Sequence, residues 1–131
     1  MRYLFDTSSL IAFFNEEKGA DFVKKLLEGI EHGVSEGFVS TITLTELFYI
    51  FYAKTKGSTA KDVIETIVKS KLKILPVDIS TSLLAGKYKT RAIPLADALI
   101  AANASEVEAK VVTDDPHFSK TDVEIVNFRG H

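Results

Sequence analysis

The sequence predicts an α/β fold: a three-layer α/β/α domain on a five-stranded parallel sheet, with residues 1–131 forming one domain. Three observations carry this. Short apolar runs alternate with helix-like segments almost throughout, and that order gives parallel strands joined by crossover helices. The runs are apolar nearly end to end, as in strands covered on both faces. The length is that of one ordinary domain, with no repeat, low-complexity tract or linker to divide it.

Residues 2–6 form the first strand, ended by the turn-prone Asp6, Thr7 and Ser8. Residues 9–14 make one or two helical turns. A longer helix covers 19–31, where Phe22, Val23, Leu26, Leu27 and Ile30 share one face and Asp21, Lys24, Lys25 and Glu28 lie opposite. Residues 33–37 begin and end in glycine and break it, and 38–42 form the second strand. Thr43 opens a helix that runs to about Lys56 and stops at Gly57. Ser58 and Thr59 cap the next, whose apolar stripe is Val63, Ile64, Ile67 and Val68. The third strand is 73–77, with Pro76 marking its end or a sheet edge. Asp78 caps a helix over 79–90. Pro94 starts another that continues to about Glu106 with Leu95, Leu99 and Ile100 turned inward. Residues 110–113 and 123–128 are the fourth and fifth strands.

Composition narrows the function classes. The hydrophobic share of 46% and charged share of 26% are those of a soluble globular protein. Without cysteine there is no disulfide and no thiolate zinc site, which suits a reducing compartment. The longest apolar run, residues 47–53, is far short of the roughly 20 residues a membrane span needs. Only three apolar residues separate Arg2 from Asp6, so no signal peptide is visible, and the expected location is cytoplasmic. A net charge of −2 argues against broad electrostatic grip on nucleic acid. Any such contact must be local, through bound cations and a few basic side chains.

Four acids stand at element ends: Asp6, Glu46, Asp97 and Asp115. Each has an ordinary local explanation. Asp6 is a suitable N-cap. Thr43 and Glu46 match a capping box, in which Glu46 reaches back to the Thr43 amide. Asp97 falls in a first helical turn, where the dipole favours an acid. Asp114-Asp115-Pro116 is a turn sequence. Jointly they mean more, because strand ends and helix starts of a parallel sheet converge on one edge. The helix following Glu46 is apolar all round through Tyr52, so Glu46 is not a casual surface acid. Ala98, Ala101 and Ala102 let the Asp97 helix approach the sheet closely. Four carboxylates meeting there repel one another unless a hard cation such as Mg²⁺ or Mn²⁺ joins them. That chemistry suits activation of water against a phosphodiester.

In order, Asp6-Thr7-Ser8, Thr45-Glu46-Leu47, Pro94 through Ala101 and Thr113 through Phe118 make the chain resemble the PIN-domain ribonucleases, in particular the toxins of VapBC toxin–antitoxin modules. The resemblance covers nearly the whole chain, and the segment around Asp97 is its most specific part. It implies a PIN-like five-stranded sheet and an endoribonuclease requiring Mg²⁺ or Mn²⁺. It implies Asp6 and Asp97 as principal metal ligands, with Glu46 and Asp115 completing the catalytic and metal-binding set. Asp115 matches the family's pattern of Thr, any residue, Asp, two residues, Phe. Asp114 is then a turn residue, and Thr113 a supporting hydroxyl. Where the family often has another acid, this chain has His117, a residue of the site rim or of the turn. Partners implied are an RNA substrate, a second copy of the chain and an antitoxin protein, with no membrane.

Phe48, Tyr49, Phe51 and Tyr52 lie on one helix, about half of them expected in the core and the rest available for an interface. Lys87, Lys89 and Arg91 precede the Asp97 helix and suit either RNA phosphates or a solvated face. His32 and His131 carry no signal. Two other classes fit less well. A catalytically inactive PIN-like module binding RNA or protein has no reason to keep four repelling acids. A receiver-like signalling domain pairs adjacent acids after its first strand, whereas here the pair follows the fourth.

Overall fold

The computed structural model describes residues 1–55 and 57–130, so the expected helix end at Lys56, and His131, lie outside the described residues. The strands are β1 (Arg2–Phe5), β2 (Glu36–Ser40), β3 (Lys73–Leu75), β4 (Lys110–Thr113) and β5 (Ile125–Asn127). They pair in parallel in the order β3-β2-β1-β4-β5. The first strand is therefore central. Leu4 stands beside Phe38 on one side and Val111 on the other, and Phe5 beside Val112.

Consecutive strand residues point to opposite faces, and both faces are apolar here. Leu4, Phe38 and Val111 belong to one core with Tyr88, Ile93, Ala98 and Phe118. Phe5, Val39 and Val112 belong to the other with Leu10, Val23, Leu47 and Phe51. Helices α1 (Thr7–Phe14), α2 (Ala20–Glu31), α3 (Thr41–Thr55) and α4 (Ser58–Lys69) supply the second core. Helices α5 (Ile79–Lys89) and α6 (Leu95–Glu106) supply the first. This is the three-layer, five-stranded parallel architecture read from the sequence.

Several boundaries differ. The second strand begins two residues before Phe38, because Gly37 lies inside it rather than in a break. A Cβ at Gly37 would stand 2.5 Å from Ile30 Cδ1 and 2.7 Å from Leu72 Cδ2. The glycine serves close packing there, not a turn. Helix α3 starts at Thr41, so Thr43 is a buried helical residue instead of its first. Strands β3 and β5 are shorter than expected, and each is an edge with one partner. Leu95, expected inward, is 61% exposed at the first position of α6. Val68, near the end of α4, is likewise exposed. Of the four α3 aromatics only Phe51 is buried, fewer than the expected half.

Helix α6 controls the site's geometry. Ala98, Ala101, Ala102 and Ala104 are wholly buried, and their small side chains let the helix lie against the sheet. Its first turn, with Asp97, thereby comes to the carboxyl edge of the strands. Positive φ at Ala92 (59°) turns the chain between α5 and α6, a conformation that favours glycine.

Candidate metal centre

The carboxyl ends of β1 and β4 are neighbours in the sheet, so the residues that follow them meet. Asp6 leaves β1 and caps α1: its Oδ1 accepts the Ser9 amide at 2.9 Å, and Ser8 Oγ lies within 2.9 Å of both carboxylate oxygens. Thr113, buried at the end of β4, hydrogen-bonds the Asp6 carboxylate while its Oγ1 accepts the Asp115 amide at 2.9 Å. One hydroxyl thus ties the acids of the two strands together. Burial pushes the Asp6 carboxyl up to about 6 even though these donors act in the opposite direction.

Glu46 is held from the other side. Its Oε1 accepts the Thr7 hydroxyl at 2.6 Å, and Thr7 Oγ1 lies 3.2 Å from that of Thr43. The capping-box geometry expected for Glu46 is absent, since α3 begins before Thr43 and Glu46 turns to α1 instead.

Asp97 and Asp115 approach each other directly. Burial first, then the hydrogen bond and charge of Asp115, push the Asp97 carboxyl up to about 7, and Asp6 and Glu46 add to the repulsion. For Asp115, burial acts upward but is outweighed by hydrogen bonds from the His117 amide, Asp97 and the His117 ring, which hold it below the usual carboxylate range. The two carboxyls therefore titrate as a coupled pair, with Asp97 the one favoured to hold a proton. Asp115 also caps a 3₁₀ helix over Pro116–Lys120 that carries His117. Nδ1 of His117 lies 2.7 Å from Asp115 Oδ1 and 3.6 Å from Asp97 Oδ2.

Oxygen or nitrogen atoms of Asp97, Asp115 and His117 all lie within 4.8 Å of one another, the spacing of donors around one ion. Carboxylates this close repel one another when both are ionised, and a proton, a cation or the neighbouring imidazole can offset that repulsion. The structure thus brings Asp97 and Asp115 to ligand spacing. Asp6 and Glu46 stand outside that group, near enough to act on Asp97 by charge.

The other sequence candidates divide. Asp114 pairs with Arg129, Nε to Oδ2 at 2.7 Å, which separates it from Asp115. Arg91 donates to the Lys120 carbonyl at 3.0 Å, faces Asp122 at 3.4 Å and lies over the Tyr88 ring. Lys87 and Lys89 are exposed on the last turn of α5 and form no ion pair among the described residues. His117 stands against the acids, closer than its sequence context indicated. The Asp115-Pro116-His117 spacing, a capped tight turn, was the available signal. Thr7 and Ser8 belong to the turn and motif that follow Asp6, but their bonds to Glu46 and Asp6 are not readable from it, and no spacing rule points to Arg129.

A PIN domain family model matches residues 3–124. No curated protein sequence matches significantly. Among solved structures, VapBC2 from Rickettsia felis, bound to a promoter DNA fragment, is similar with a TM-score of 0.77 and 22% identity, covering 97% of this chain and 98% of that one. VapBC-1 from nontypeable Haemophilus influenzae gives 0.75 and 22%, covering 98% of each chain. FitAcB from Neisseria gonorrhoeae gives 0.73 and 23%, covering 98% and 99%.

Proposed function

The chain belongs to the PIN domain family, and from that premise we propose that it is a divalent-metal-dependent endoribonuclease, the toxin of a VapBC-type toxin–antitoxin pair. The observation that carries this reading is the meeting of Asp97, Asp115 and His117 at ligand spacing beside Asp6 and Glu46. The four acids come from four separate segments and share one edge at a cost in repulsion. A site that bound nothing would have no reason to bear that cost.

Asp6, Glu46, Asp97 and Asp115 hold Mg²⁺ or Mn²⁺ in this reading. The bound ion would supply an activated water and neutralise charge on the phosphate. Thr113 keeps Asp6 and Asp115 in register through its two hydrogen bonds. Thr7 and Ser8 fix the Glu46 and Asp6 carboxylates so that they point without searching rotamers. Lys87 and Lys89 would meet RNA phosphates, while Arg91 first has to leave Lys120 and Asp122.

Two surfaces suit the proposed partners. Phe48, Tyr49 and Tyr52 are exposed on α3, with the Phe48 and Tyr52 rings stacked at 5.7 Å, and fit a contact between two copies. A cleft of about 290 Å³, bordered by Leu10, Phe13, Phe14, Leu27, Ile67 and Leu72, fits the apolar face of an antitoxin helix. The similar structures include one described as a toxin–antitoxin complex from Klebsiella pneumoniae. No helix among the described residues is long and apolar enough to cross a membrane, and we expect the enzyme to act on cytoplasmic RNA.

The test is cleavage of total cellular RNA by the purified chain with Mg²⁺, Mn²⁺ or EDTA, alongside Asp97→Asn. Discrete fragments that need both metal and Asp97 support the reading. Metal binding without cleavage of any RNA pool would favour a PIN-like binding module.

A further inference from the structure

Resting on the metal-site reading above, we propose that Nδ1 of His117 is itself a ligand, and that it biases the site toward transition-metal dications such as Mn²⁺ over Mg²⁺. The same short turn holds the imidazole and Asp115: Asp115 caps the 3₁₀ helix, Pro116 opens it, and the His117 amide donates to Asp115 Oδ1 at 2.9 Å. The ring is 41% exposed, so packing does not account for its position. Its nitrogen lies 2.7 Å from one carboxylate and 3.6 Å from the other. Meanwhile Asp6 accepts hydroxyls from Ser8 and Thr113, and Glu46 accepts one from Thr7. That leaves Asp97, Asp115 and His117 as the group spaced to close around one ion.

With His117 included, the donor set is mixed: carboxylate oxygens and one imidazole nitrogen. Mg²⁺ demands near-octahedral oxygen ligation and keeps its waters. Imidazole suits first-row transition metals, whose affinity for a nitrogen-containing site rises along the series from Mn²⁺. A histidine that only donated Nδ1–H to Asp115 would orient that carboxylate and affect every metal alike. Discrimination between metals separates the two roles.

The experiment uses the full chain as wild type, His117→Ala, His117→Asp and Asp97→Asn. Mn²⁺ binding is read by paramagnetic resonance of the free ion, Mg²⁺ binding by calorimetry, and Co²⁺ by its visible absorption. His117→Ala should weaken Mn²⁺ by about 10–100-fold and Mg²⁺ by less than about threefold. His117→Asp, which keeps a ligand but removes nitrogen, should tighten Mg²⁺ relative to Mn²⁺ and move the Co²⁺ bands. Equal weakening of both metals, or unchanged Co²⁺ bands, overturns ligation by His117 while leaving the metal centre intact. Absence of binding by wild type removes the metal-site reading and this inference with it.

Discussion

Replacing Asp97 by Asn should stabilise the metal-free protein at pH 8. The carboxyl is pushed from 3.8 up to about 7 by burial and by the charges around it. Between those values the folded state binds a proton that the unfolded chain releases. Stability from this group is thus fully present below about pH 4, declines as pH rises, and is gone above about 7. Above 7 the folded protein carries the whole repulsion. At about 1.36 kcal/mol per pKa unit the ceiling is roughly 4 kcal/mol. Asp115 shifts the other way and returns part of it, and solvent screens a partly exposed carboxylate. Asn also forgoes a favourable helix-dipole interaction of up to about 1 kcal/mol. A gain of about 1–2 kcal/mol remains, or roughly 4–8 °C in melting temperature. The assay is thermal unfolding in EDTA at pH 5 and pH 8. Asn should gain at pH 8 and lose most of its advantage at pH 5. An Asn variant that melts at or below wild type at pH 8, with the wild-type pH slope intact, would refute the account of crowded carboxylates.

The remaining predictions concern residues around that pair. Saturating Mn²⁺ at about 100 times its Kd should add about 2.7 kcal/mol to wild-type stability, and Asp97→Asn should show little of this in the same melts. Asp115→Asn should abolish RNA cleavage, whereas Asp114→Asn, which breaks only the Arg129 pair, should retain it; the reverse order in a cleavage assay would reassign the adjacent acids. Asp6→Ala should cost about 2–3 kcal/mol in urea unfolding, because it removes an N-cap and orphans the donors of Ser8, Ser9 and Thr113. Gly37→Ala should cost about 1–3 kcal/mol by the same measurement, since Ile30 and Leu72 occupy the space of the new methyl.

What was legible in the sequence is what periodicity and element order encode. Apolar runs and their alternation with helices were enough for five parallel strands, and the acids stood out because they punctuate those runs. Edges and faces were harder to read. Leu95 and Val68 are apolar residues near helix ends, where a helical stripe no longer says which way a side chain turns. Gly37 reads as a breaker locally, but its role is set by Ile30 and Leu72 from other elements. His117 was obscured because a tight turn and a ligand position draw on the same residues. Arg129 meets Asp114 and Glu17 from far along the chain, and such partners leave no spacing to recognise.

The central position of β1 has a consequence for the protein's birth. The strand made first waits for β4, whose residues emerge more than a hundred positions later, to gain its second neighbour. Asp6 and Glu46 leave the ribosome well before Asp97, and Asp115 comes last of the four. A nascent or prematurely released chain that stops at Pro94 lacks half the acids and the strand that anchors Asp115. If the site cuts RNA, no cleavage is possible until Asp115 has emerged and β4 has joined the sheet. The exposed aromatics of α3 and the residues of the apolar cleft, all before position 73, have by then already been made.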